Sequence, residues 1–288
     1  MTTSWLYCAI YPGAFERLDQ VVRELVPPAR DLVDDGGGRW FFLRFMDSGG
    51  PHVRLRVHGA YPLLDRVYEQ LTGGFPAFLD AARATGGRTY ARLPGSPVLD
   101  YWEGVDVRLY EPELRRYGGS AGVRVAEEQF MLSSAIAVRA METDLSPEQR
   151  SALATLAMTS AVRHTVPGMD RAFWSKYLWY WTGRDEDGSP ARRAAAIEAA
   201  ERLAPALTSA ALPERERRAA EEFGAAVGAT ARRAAGRGVP LTPWQWVFHL
   251  VHLHNNRLGV PPGEEAVLAA VLGGAHEEET HDRSATAR

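Results

Sequence analysis

The stretch His52-Val53-Arg54-Leu55-Arg56-Val57-His58 is the part of the chain best equipped for chemistry. In an extended strand, successive side chains point to opposite faces. Val53, Leu55 and Val57 then share one face, and His52, Arg54, Arg56 and His58 share the other. Cation-capable groups lined up in this way are costly to take out of water unless an anion meets them. The expected partner is a carboxylate from the protein, from a substrate, or from both. Guanidinium groups bind such anions bidentately.

A second set lies on one helix, Pro243–Leu258. At the helical angle per residue, Gln245, His249, His252 and Asn256 fall within an arc of about 60°. Trp244, Val247, Phe248, Leu250, Val251, Leu253 and Leu258 cover most of the remaining surface. A mostly apolar helix with one narrow polar stripe is expected to be buried, its stripe facing a polar cavity or network. Histidines there suit proton transfer near neutral pH. His254 lies away from the stripe. The spacing of His249 and His252 also suits a metal ion, but no further ligand stands at motif spacing, so no metal is expected.

A third set is Tyr110-Glu111-Pro112-Glu113-Leu114-Arg115-Arg116-Tyr117-Gly118-Gly119. In a helical turn Glu113 and Arg116 share a face, and a plain ion pair closing a loop is the simplest reading. Gly118-Gly119 suggests positive φ or a close backbone approach. Trp174, Tyr177 and Trp181 form one face of an aromatic-rich helix, a pattern typical of core.

The elements that must position these groups change character along the chain. The first third alternates: strands are expected at Trp5–Tyr11, Arg39–Asp47, His52–His58, Arg88–Leu93 and Val107–Tyr110. The short link Ser48-Gly49-Gly50-Pro51 makes Arg39–Asp47 and His52–His58 a hairpin. A helix over Ala14–Leu25 is expected to end at Val26-Pro27-Pro28, and one over Pro62–Ala84 to break at Gly73-Gly74. After Gly119 the pattern is helical throughout: 123–141, 147–166, 169–181, 190–207, 213–235, 243–258 and 264–272. The reading is α+β, an N-terminal mixed or antiparallel sheet with flanking helices followed by an all-helical C-terminal half. It is taken as a single domain over 1–273, sheet-rich to 119 and helical from 120, with a disordered polar tail over 274–288.

A length of 288 residues is ample for a sizeable core. The net charge of −3 does not favour direct binding of nucleic acid. Cys8 is the one cysteine, which excludes an intramolecular disulfide. There is no signal peptide and no apolar run of membrane length, so a cytoplasmic protein is expected. Phosphate-binding and dinucleotide-binding glycine loops are absent, and no cofactor is expected.

Several segments, in order, resemble one family. They are Trp40–Asp47, Gly50–Arg56, Tyr110–Gly119, Ala126-Glu127 with Phe130, and His252–Leu258. Together they are similar to the C-terminal domain of lantibiotic dehydratases, which also occurs as free-standing thiopeptide-type bacteriocin biosynthesis proteins. The resemblance runs from about Trp5 to about residue 272. It departs at Ser133-Ser134, where the family often has Asp-Ser. It implies a glutamate-elimination lyase. A separate glutamyl-tRNA-dependent enzyme would glutamylate Ser or Thr of a precursor peptide, comprising leader and core. This chain would then remove glutamate to leave dehydroalanine or dehydrobutyrine. The family's functional residues fall on Arg54, Arg56, Glu113, Arg116 and His252; His52, Tyr110, His249, Asn256 and Arg257 are expected to contact substrate. Two alternatives stand beside it: a pyridine synthase joining two dehydroalanines, and a non-catalytic peptide-binding subunit.

Overall fold

A computed structural model describes residues 2–85 and 101–286, with side chains through residue 274. The expected strand Arg88–Leu93 lies outside the described residues, and so do the side chains of the expected disordered tail. The architecture is α+β. Strands β1 (Thr3–Pro12), β2 (Arg39–Asp47), β3 (Gly50–Ala60) and β4 (Glu103–Arg108) form an antiparallel sheet in the order β2-β3-β1-β4. The helices are α1 (Leu18–Gln20), α2 (Val26–Asp35), α3 (Tyr61–Thr85), α4 (Ser120–Glu142), α5 (Pro147–Thr165), α6 (Asp170–Trp181), α7 (Ser189–Ser209), α8 (Glu214–Gly236), α9 (Pro243–Leu258) and α10 (Pro262–Thr286). None of the described helices is long and apolar enough to cross a membrane. The chain groups into two compact units. One gathers the chain up to Pro112 with Ser133–Thr143; the other gathers Glu113–Leu132 with the chain from Asp144 onward.

In the first unit, β2 and β3 pair with Asp47 opposite Gly50, the hairpin expected from the short Ser-Gly link. Gly50 has φ +115°, and a Cβ there would press into the Tyr101 ring, so only glycine fits. Pleating sorts the strands into two faces. Trp40, Phe42, Cys8, Ile10, Val53, Leu55 and Val57 occupy the inner face, none more than 5% exposed. α3 packs against β1 and β3, and α2 against β2 and β3. Ser134 accepts a hydrogen bond from the Phe42 amide at 3.1 Å, so it pins β2. Burial and the nearby Asp106 charge push the Cys8 thiol up to about 12, too high for a thiolate nucleophile at neutral pH.

Three expectations are corrected. The helical chain does not stop at Val26-Pro27-Pro28. A π-turn over Val21–Leu25 resets the register, and the prolines fall in the first turn of α2, where their missing N–H is tolerated. α3 is continuous through Gly73-Gly74. Its buried residues Leu63, Val67, Leu71, Phe75, Phe78 and Ala82 keep helical spacing across the glycines, and that packing outweighs about 1 kcal/mol per glycine of helix propensity. β4 covers Glu103–Arg108 rather than Val107–Tyr110, because its pairing is set by β1, with Tyr7 opposite Arg108.

Each helix expected after Gly119 is present, with α4 shared between the two units. α5 and α9 begin with reciprocal caps, Ser146 with Gln149 and Thr242 with Gln245. Gln245 of the α9 stripe is therefore a capping residue. α5 and α8 cross closely. A Cβ on Gly224 would overlap the Ser160 backbone, and one on Gly228 would lie 2.6 Å from the His164 carbonyl oxygen.

This crossing makes two glycine substitutions move stability in opposite directions. Gly224→Ala should lose about 1–3 kcal/mol through overpacking, despite the helix propensity it gains. Gly73→Ala, at an exposed helical site with nothing near its Cβ position, should gain about 0.5–1 kcal/mol. Urea unfolding midpoints of the two variants, compared with the parent, check both signs.

Candidate functional site

The outer face of the first unit's sheet is set by register. Phe41 and Tyr7 flank Arg56, and Leu43 and Ala9 flank Arg54. Aromatic rings lie against both arginines of the row. The Arg54 guanidinium carbon lies 3.3 Å from the centre of the Phe45 ring. That of Arg56 lies 4.9 Å from Tyr7, 5.5 Å from Phe41 and 5.2 Å from Tyr110. Ring faces offset part of the desolvation cost of a guanidinium without neutralising it. No carboxylate of the described residues lies within 4.0 Å of Arg54.

Carboxylates on this sheet serve another arginine. Asp47 accepts from Arg108 at 2.9 Å and from the Tyr11 hydroxyl at 2.9 Å, and Arg108 also pairs with Asp106 at 2.9 Å. Burial would raise the Asp47 carboxyl, but these donors and the Gly49 amide outweigh it and hold it down to about 2. Tyr110 packs between Trp5 (4.7 Å) and Phe41 (6.0 Å) beside Arg56. His52 is fully buried, stacked on Tyr11 at 4.3 Å, which leaves it no surface for the substrate contact expected of it.

The second unit holds the other candidates. Tyr117 is buried among Phe130, Trp246 and His249 and anchors the loop that carries Glu113 and Arg116. Those two form an exposed pair at 2.9 Å, followed by Gly118 and Gly119 at positive φ, as their doubling suggested. Burial and the nearby Arg116 charge push His249 down to about 4. His254 is buried against Phe223 at 4.0 Å, and burial with the Arg257 charge lowers it to about 3. Arg257 is itself fully buried; its guanidinium donates to the Leu253 carbonyl at 3.1 Å and lies over Phe130. It is a core residue, contrary to the substrate contact expected of it. Asn256 is half-buried on the α9 stripe with His249 and His252.

His252 is set apart by a residue that sequence reading missed. Its Nδ1 lies 2.8 Å from Glu265 Oε1. Glu265 has no exposed surface, and its other oxygen accepts from the Tyr177 hydroxyl and, at 3.2 Å, from Asn255 Nδ2. It sits in the first turn of α10, where the helix dipole favours negative charge. The tight turn at Gly259, φ +78°, brings α10 back alongside α9. With Nδ1–H donating to a carboxylate, Nε2 is the nitrogen left to exchange protons. The Trp181 ring lies 4.5 Å from that of His252. The aromatic face of α6 is thus partly core, through Trp174 and Tyr177, and partly a wall of the histidine. The signal for Glu265 was present as Glu264-Glu265 just after Pro261-Pro262-Gly263, but acids in a first helical turn are common enough to pass as dipole partners.

This sheet-then-helix fold agrees with the comparisons. The family described as "Lantibiotic biosynthesis dehydratase C-term" matches residues 5–276, and the chain belongs to that family. Nisin biosynthesis protein NisB of Lactococcus lactis subsp. lactis is 26% identical over 132 residues, 46% of this chain and 11% of NisB. Subtilin biosynthesis protein SpaB of Bacillus subtilis matches to the same extent. The chain therefore spans 11% of the length of these curated relatives. Among solved structures it is similar in fold to TsrL (TM-score 0.63, 16% identity, 97% of this chain and 95% of TsrL). The same holds for TbtD, a pyridine synthase from thiomuracin biosynthesis (0.60, 19%, 93% and 96%). MibB, a tRNA-dependent lantibiotic dehydratase from Microbispora sp. 107891, shares the fold at 0.56 and 21%, over 97% of this chain and 28% of MibB.

The depressed histidines set a pH dependence. His249 and His254 stay neutral in the fold down to about 4 and about 3, whereas unfolded histidine protonates near 6.5. Their stabilising contribution is complete above about pH 6.5 and is lost as pH falls toward the folded values, by up to about 1.4 kcal/mol per pH unit for each group. His52 and His58 are lowered too and add with the same sign. The urea midpoint should therefore drop between pH 7 and pH 5, and less steeply in His254→Leu. A flat profile over that range would rule this account out.

Proposed function

We propose that this chain is a glutamate-eliminating lyase. It would act on Ser and Thr residues of a ribosomal precursor peptide that a separate glutamyl-tRNA-dependent enzyme has glutamylated. The observation that carries the reading is the pairing of His252 with a buried carboxylate, the arrangement a proton-transfer histidine needs. In the elimination a base takes the Cα proton of the glutamylated residue. The C–H electron pair becomes the Cα=Cβ double bond as the Cβ–O bond breaks, and glutamate leaves with the oxygen as its carboxylate. His252 Nε2 is the proton carrier, and Glu265 fixes its tautomer and ring plane. Arg54 and Arg56 are assigned as ligands of the glutamyl carboxylate and of oxyanion charge. Glu113 and Arg116 form a coupled pair that keeps positive charge beside the α9 stripe. The site needs no cofactor for this step.

A second reading has one observation in its favour: the fold is shared over nearly the full length of a pyridine synthase. That reaction joins two dehydroalanines and has no glutamate to bind, so it gives the Arg54 guanidinium no anion.

Incubation with purified glutamylated precursor peptide separates the readings by mass spectrometry. Loss of one glutamate per modified site supports the lyase. Formation of a macrocycle from a dehydroalanine peptide, with glutamylated peptide untouched, supports the cyclase; inertness toward both supports a binding subunit. For the lyase, His252→Ala and Arg56→Ala should each lower the elimination rate by about a hundredfold or more. Glu265→Gln should lower kcat by about tenfold or more with little change in KM. Full activity in both His252→Ala and Arg56→Ala would sink the assignment.

A further inference from the structure

Resting on that lyase reading, we propose that His52 is a positioning residue for Arg54: it fixes the guanidinium so that only its Nη1/Nη2 edge is offered to a carboxylate. Arg54 Nε donates to His52 Nε2 at 3.1 Å. For that nitrogen to accept, the ring must carry its proton on Nδ1, and Nδ1 lies 3.0 Å from the Gly50 carbonyl oxygen. Both ring nitrogens are therefore committed within the protein. The ring is held between Tyr11 at 4.3 Å and Phe45 at 5.7 Å. Phe45 also lies under the Arg54 guanidinium, so one aromatic side chain braces the histidine and the arginine together.

The charged and titratable groups around the His52 ring agree with a neutral, accepting imidazole. Arg54 on β3 and Arg108 on β4 disfavour its protonation, as does burial, while Asp47 on β2 and the Gly50 carbonyl favour it. Asp47 is engaged elsewhere, by Arg108, Tyr11 and the Gly49 amide.

A guanidinium can bind a carboxylate through its Nε/Nη side or through its Nη1/Nη2 end. With Nε taken by His52 the side-on fork is closed, and the end-on fork remains. The substrate feature selected is a planar carboxylate that meets the end of Arg54. Holding Nε also removes much of the rotamer freedom an arginine would otherwise lose on binding.

The test uses His52→Gln and His52→Asn. A glutamine amide oxygen reaches the Nε2 position and can accept from Arg54, whereas an asparagine amide reaches only the Nδ1 position. With glutamylated precursor peptide, His52→Asn should raise KM by about tenfold, and His52→Gln should stay within about threefold of the parent. In parallel, the Arg54 Nε–H signal of arginine-labelled protein is followed by NMR, assigned through its absence in Arg54→Lys. It should be protected from exchange in the parent and in His52→Gln, and unprotected in His52→Asn. Equal impairment of the two variants, or an Nε–H that exchanges freely in the parent, overturns the proposal. The NMR measurement on the parent needs no turnover and no variant of His52 to fold. If the parent eliminates no glutamate while the Nε–H is protected, the lyase reading falls and the positioning of Arg54 stands.

Discussion

Glu265 carries the constraint on which the second unit depends: a carboxylate with no exposed surface, compensated by Tyr177, Asn255 and His252. An ion taken out of water costs several kcal/mol unless its oxygens are fully engaged. Those partners come from α6 and α9, and the carboxylate from the first turn of α10. The register of three helices is therefore tied to one side chain. A rotation or slide of any of them would leave a buried donor or acceptor unpaired, at about 1–3 kcal/mol each. The same requirement fixes the imidazole plane of His252.

The first unit meets a related cost by different means. Its β3 cations share one face because pleating leaves them no choice. Rings meet them: Phe45 lies under Arg54, and Tyr7, Phe41 and Tyr110 surround Arg56. A ring stabilises a cation without cancelling its charge, so an arginine on aromatics still attracts an anion. Arg108 shows the contrast. Asp47 and Asp106 hydrogen-bond it and drive its pKa further up, which leaves it bound in its own network. The sheet thus separates Arg108, held by two carboxylates, from Arg54, which rests on a ring.

Much of this was legible from side-chain periodicity. The alternation at His52–His58 gave the faces of β3, and the angular stripe on α9 gave His249, His252 and Asn256 as its part-exposed edge. What periodicity does not carry is the identity of a partner distant in the chain. The burial of His52 follows from Tyr11 and Phe45 on neighbouring strands. The core position of Arg257 follows from Phe130 on α4 and from its own helix carbonyl. Local breakers misled for a related reason. Pro27-Pro28 and Gly73-Gly74 weaken a helix by propensity alone, but a π-turn and a continuous apolar face supply what propensity lacks. The pair Glu264-Glu265 shows the limit most clearly. Adjacent identical residues in one helical turn diverge because one faces Ser151 and the other the buried side of α9.

The histidines of the fold then sort themselves by what each nitrogen meets. His254 is buried against Phe223 beside a cationic neighbour and is held neutral. His249 is lowered by burial and by Arg116. His52 has both nitrogens spent on Gly50 and Arg54. Each of these environments penalises the charged form of the imidazole. His252 differs from these three, since its Nδ1 faces the buried Glu265 carboxylate and Nε2 points away from it. The stripe on α9 is therefore not a set of equivalent polar groups. Burial holds His249 of the stripe neutral, and a carboxylate delivered by the next helix orients His252.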